Sequence, residues 1–180
     1  MALKSTIYRA TLNVSDLDRG YYAEHVLTIA RHPSETDERA MVRVLAFALH
    51  ADERLLFGKG ISTDDEPALW LKDDTGRILK WIEVGLPDER LLRRAAGRAD
   101  EVIVLAYGGR TVDIWWQKEG ATLSKLQNLR IYSLSVESSR ALAEKAGRSM
   151  ELSCTIQDGE VWFSSGNETI SIIPQRLFPI

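Results

Sequence analysis

Residues 100–109, "DEVIVLAYGG", place five apolar residues in a row, Val102 to Ala106, between two acids and a pair of glycines. A run this short with no polar alternation is a strand covered on both faces, so it belongs near the middle of a sheet beside a crossover helix. That helix is legible just upstream. "LPDERLLRRAAGR" opens with Pro87, which the first helical turn tolerates, and reaches Gly97, a helix-ending residue. The strand "RILKWIEVG" precedes it and is joined to "PALWLK" by "DDTG", a hairpin signal.

The flanks follow other periods. "STIYRATLNVSD" and "YYAEHVLTIARH" alternate with period two and predict paired antiparallel strands. The spacing of Met41, Val44, Leu45, Ala48 and Leu49 predicts a helix over roughly 35 to 51, with Ser34 and Asp37 resembling a capping box. "TVDIWWQ" and "LRIYSLSV" read as further strands, and "ESSRALAEKAGRS" as a polar helix. In the tail, Asp158-Gly159 and Gly166-Asn167 are turn signals that predict three antiparallel strands. The expected fold is α/β (α+β), a mixed sheet with flanking helices plus antiparallel N- and C-terminal strands, in one domain spanning 1–180.

Lys and Arg total 23 against 26 Asp and Glu, a formal charge of -3, so nothing draws the whole molecule toward nucleic acid or anionic lipid. A nucleic-acid site would have to be a local patch. The lone cysteine, Cys154, excludes an intramolecular disulfide and any CxxC motif. With no secretory leader in the first 30 residues and no run of roughly 18 apolar residues, the expectation is a cytoplasmic protein without a membrane partner.

Glu83 is the residue that most needs an explanation, since a carboxylate inside an apolar strand costs several kcal/mol unless paired, hydrogen-bonded or metal-bound. Period two puts it on one face with Leu79, Trp81 and Gly85. Asp64, Asp65 and Glu66 stand at the mouth of the partner strand, and Glu38 lies on the apolar stripe of the first helix. Clustered carboxylates of this kind suit Mg²⁺ or Mn²⁺. Arg90, Arg94 and Arg98 recur every four residues with Arg93 alongside, and such a basic edge can steady phosphate charge. Each feature also has a structural reading. Glu83 can be a buried acid paired with an arginine, the acidic run a solvated loop, Glu38 a helix-dipole acid and the arginines a solvated face. The five tryptophans read as packing residues within strands.

The order helix, acidic hairpin, helix and buried strand resembles the PD-(D/E)XK nuclease superfamily, the restriction-endonuclease-like fold. That resemblance implies Glu83 at the acid of the D/E-x-K signature, Asp65 or Glu66 at the first acid and Glu38 at the helix acid. Gly85 stands where the lysine belongs, so Arg93 or Arg94 would have to take over its role. More specifically, "MALKSTIYRATLNVSDLDR", "HPSETDERAMVRVLAFAL", "GISTDDEPALW", "WIEVGLPDE", "IWWQ" and "TIQDGEVWFS" resemble the YaeQ family of bacterial proteins over nearly the whole chain. The resemblance implies a metal-dependent, nuclease-like phosphodiester hydrolase in which Glu38, Asp65, Glu66 and Glu83 hold Mg²⁺ or Mn²⁺, and the acidic charge balance makes a short or single-stranded nucleic acid the expected substrate. The alternative is a non-catalytic module of the same fold that acts through a protein partner, with a link to transcription.

Overall fold

A computed structural model describes residues 4–59 and 65–180. Among these, the strands in chain order are β1 (Thr6–Asp16), β2 (Tyr21–Arg31), β3 (Leu55–Phe57), β4 (Leu69–Lys72), β5 (Ile78–Val84), β6 (Ala99–Ala106), β7 (Leu129–Ser133), β8 (Ser149–Gln157), β9 (Glu160–Ser165), β10 (Glu168–Ile172) and β11 (Gln175–Phe178). The helices are α1 (Asp37–Leu49), α2 (Glu89–Arg98), α3 (Arg110–Leu123) and α4 (Val136–Ala143). The strands form two mixed sheets where the sequence suggests one. The chain divides into two compact units, Met1–Ala51 with Glu137–Pro174, and Asp52–Val136 with Gln175–Ile180.

In the first unit the strand order is β10-β9-β8-β1-β2. Asp158 and Gly159 both take positive φ (53° and 76°), the backbone a tight Asp-Gly hairpin requires, and they join β8 to β9 as the dipeptide predicts. β8 also runs parallel to β1, from Arg9 opposite Ser149 to Asp16 opposite Ile156. No local signal marks that pairing. α1 starts at Thr36, whose side chain accepts from the Arg39 amide at 3.1 Å. The capping box expected at Ser34 does not form, because the Ser34 hydroxyl turns to the His32 ring at 2.7 Å. The expected stripe is buried except at Leu49, which is half-buried, and Val42, Arg43 and Phe47 are buried too, so α1 is enclosed on more than one face.

In the second unit the order is β11-β7-β6-β5-β4-β3, and β5, β6 and β7 are parallel. The apolar run of β6 is thus an interior strand with α2 as the crossover from β5. Asp88 caps α2, accepting from the Leu91 amide at 2.8 Å, and the helix passes through Gly97 to end at Arg98. Leu92 and Ala95 of α2 pack with Trp81, Val102, Val104, Val112, Leu123 and Ile131 in one core.

"TVDIWWQ" corrects the sequence reading, for it lies in α3 rather than in a strand. Gly108 and Gly109, with φ of 128° and 64°, bend the chain out of β6 and start the helix. Val112, Ile114 and Trp116 alternate by coincidence. The residues that reach the core are Val112 and Trp115, three apart, while Ile114 is exposed. Trp115 and Trp116 are therefore helix residues, and the Trp115 indole donates to the Pro87 carbonyl at 2.8 Å. β3 and β11, three and four residues long, are too short to leave a periodic signal.

Candidate functional site

Glu83 is the penultimate residue of β5 and lies opposite Val104 in the parallel ladder to β6. It is therefore near the carboxyl ends of two parallel strands, where open α/β sheets commonly place ligands. It is 7% exposed. Trp81, two residues back on the same face, donates its indole N–H to Glu83 Oε1 at 2.9 Å. The alternation that puts them together begins at Trp81. A register shift against β4 sets Lys72 opposite Ile78 and Leu71 opposite Lys80, leaving Leu79 as the extra residue and bringing Ile78 into the Trp81 core.

A layer of aromatic and cationic groups surrounds Trp81. Trp70 meets it edge-on with centroids 6.0 Å apart, and Lys72 Nζ sits 3.6 Å above the Trp70 ring. The Arg98 guanidinium lies 5.2 Å from the Trp81 centroid and donates to the Asp65 carbonyl oxygen at 3.4 Å. Asp65 thus meets Arg98 through its backbone carbonyl.

The remaining predicted residues have their own partners. Glu66 Oε2 accepts from the Lys59 amide at 3.0 Å, with Lys59 Nζ 3.9 Å from Oε1. Asp64 lies outside the described residues. Glu38 belongs to the first unit and accepts from the Ser139 hydroxyl at 3.1 Å. Arg93 pairs with Glu89 one turn back at 2.5 Å, and Arg94 is exposed on α2. The cation that stacks on Trp81 is Arg98. Among the described residues no group of three or more His, Cys, Asp or Glu side chains is placed to hold a metal ion.

Gly85, which the resemblance set against the lysine of the nuclease signature, has φ of 92°. That is a backbone state L side chains rarely adopt, so β5 ends in a turn that disfavours lysine for conformational reasons.

The first unit holds a polar network that sequence reasoning missed. Glu35, 3% exposed, receives Arg43 Nη2 on Oε1 at 2.6 Å and pairs with Arg39 through Oε2, while Arg31 donates to its carbonyl at 2.6 Å. Burial pulls the Arg43 guanidinium below its usual range, and Glu35 opposes that shift. "ETDER" has the composition of a solvated turn. Its only hint is Arg43 in the middle of an apolar helix.

A family model described as "YaeQ protein" matches residues 1–174. The chain belongs to the YaeQ family. It is 46% identical over 172 residues to "Uncharacterized protein YaeQ" of Salmonella typhi and to that of Escherichia coli K12, covering 96% of this chain and 95% of each relative. Two crystal structures of YaeQ proteins are similar throughout. The one from Xanthomonas axonopodis pv. citri has a TM-score of 0.92 at 47% identity over 96% of this chain and 98% of that one. The one from Pseudomonas syringae has 0.93 at 39% over 98% and 97%. No helix among the described residues is long and apolar enough to cross a membrane.

Proposed function

We propose that Glu83 is the centre of a metal-dependent, nuclease-like site for phosphodiester hydrolysis, with Asp65 as the second acid. The observation that carries this reading is a carboxylate buried at the carboxyl end of the parallel β5–β6 pair and oriented there by an indole N–H. Its support from resemblance is the order of elements shared with PD-(D/E)XK nucleases. Mg²⁺ keeps several waters and binds through one or two carboxylates plus substrate phosphate, so Glu83 and Asp65 suffice as its protein donors. When bound, the ion would lower the pKa of a water and offset phosphate charge. The chain's own groups do the positioning. Trp81 fixes the Glu83 oxygen. Arg98, stacked on Trp81 beside Asp65, supplies positive charge for an anionic substrate. A net charge of -3 favours a short or single-stranded nucleic acid over long duplex.

Gly85 favours a second reading, a module that binds without turnover and acts through a protein partner, because no lysine stands where the nuclease signature has one. One experiment separates the two. Mn²⁺ is titrated while tryptophan fluorescence is followed, then single- and double-stranded DNA and RNA are incubated with Mn²⁺. The hydrolytic reading expects quenching in the wild type that is lost in Glu83→Ala, and cleavage that is lost in Glu83→Gln. Quenching without cleavage supports the second reading, and no quenching in the wild type defeats the metal site.

A further inference from the structure

We propose that β2 is a dimerisation strand, pairing antiparallel with β2 of a second copy about a two-fold axis at Val26. The inference is independent of the Glu83 site. It rests on how differently the sheet edges are protected.

β2 is an outer strand of its sheet, and among the described residues no strand pairs with its far side. The direction of its free backbone groups follows from β1. The Arg9 amide donates to the Arg148 carbonyl at 2.9 Å, on the β8 side, so Arg9 is turned away from β2. Thr28, directly opposite Arg9, is then in a non-hydrogen-bonded pair and aims its N–H and C=O outward. By period two the same holds for Tyr22, Glu24, Val26 and Ala30. In agreement with that direction, the Ala30 carbonyl accepts from the buried Arg43 of α1 at 3.1 Å, which leaves Tyr22 to Thr28 as the open stretch of the edge.

Natural edge strands are kept short, bulged, or blocked by lysine or proline. The other edges follow this. β3 has three residues, β10 has five, and β11 has four with a register shift against β7. β2 has eleven residues, no lysine, proline or glycine, and an unbroken register with β1. Its outer residues include Val26 at 79% exposure and Tyr22 at 64%. A long, regular, apolar edge of this kind is a template for another strand.

The sequence selects a second copy as that strand. "YYAEHVLTIAR" is centred on Val26, and antiparallel pairing about that residue sets Val26 against Val26 and Glu24 against Thr28, short of the Ala30 carbonyl that Arg43 holds. On the other face it sets His25 against Leu27, Ala23 against Ile29 and Tyr21 against Arg31. No like charges meet. Sliding the register by two, to centre on Glu24, opposes the two glutamates and is disfavoured. A centre at Thr28 would oppose Val26 to Ala30, whose carbonyl Arg43 already holds, so Val26, with its outward amide, is the two-fold position that remains.

The test is mass in solution by light scattering over a range of concentrations, combined with cross-linking. The wild type should move toward twice the chain mass as concentration rises. Val26→Lys, which places two ammonium groups at the axis, should remain at the chain mass with an unchanged melting curve. Val26→Cys should form a covalent dimer under mild oxidation, since hydrogen-bonded pairs have Cα atoms about 5.5 Å apart, within disulfide range. Glu24→Cys alone should not cross-link, whereas a mixture with Thr28→Cys should. Buried Cys154 makes the wild type the blank. A wild type that stays monomeric throughout, or a Val26→Lys variant that dimerises as the wild type does, overturns the proposal.

Discussion

Two buried glutamates, one in each unit, are held in different ways. Glu35 has an arginine on each oxygen and is 3% exposed, so its charge is matched within its own unit. Glu83 is 7% exposed, and its Oε1 takes the N–H of a neutral indole whose ring also carries the Arg98 guanidinium. The first arrangement resembles a structural clamp on the start of α1. The second adds an indole N–H to a carboxylate at the carboxyl end of a parallel strand. Burial alone therefore says little about a glutamate, since two acids of similar exposure take such different donors.

Removing one partner of a buried ion pair leaves a charge in a low-dielectric site, so Arg43→Met should have the largest effect. The expected loss is about 3 kcal/mol, read from urea unfolding. Trp81→Phe keeps the ring but removes the donor to Glu83, and should cost about 1–2 kcal/mol in the same assay. Equal losses for the two variants would break the contrast between the acids. The smallest effect concerns another buried acid of the first unit. There Asp16 is buried and paired with Arg19 at 2.7 Å, and Cys154 feels both burial and the Asp16 charge, which push its thiol from 9.0 to about 12. Below pH 9 the thiol is protonated in both states and contributes nothing to the slope. Between 9 and 12 only the unfolded chain releases the proton, so stability falls with rising pH by at most about 1.4 kcal/mol per unit. Comparing wild type with Cys154→Ala from pH 8 to 10 should show that slope only in the former.

The sequence made β6 and its crossover legible, because a strand covered on both faces has few other places to go. It also revealed the β8–β9 hairpin, where Asp158 and Gly159 provide the chemistry of a tight turn. It failed where two periods coincide. Val112, Ile114 and Trp116 fit a strand on paper, and only the glycine pair before them indicates that a helix is starting. For the site, Trp81 and Glu83 were recoverable from alternation, because the extra residue at Leu79 falls before them. The role of Arg98 was not, since it depends on how α2 lies over the Trp81 ring and not on spacing. The arginines around Glu35 were hidden for a related reason: an apolar helix that buries an arginine looks in sequence like one that exposes it.

The parallel partnership of β1 with β8 has a consequence for how the chain is made. β1 emerges early from the ribosome, yet the strand that completes its inner side begins at Ser149, about 140 residues later. During synthesis the β1–β2 hairpin must wait with that side open while the whole of the β3–β7 region passes. Contacts so distant along the chain slow folding. Until β8 is made, the nascent hairpin presents an unpaired strand edge to its surroundings.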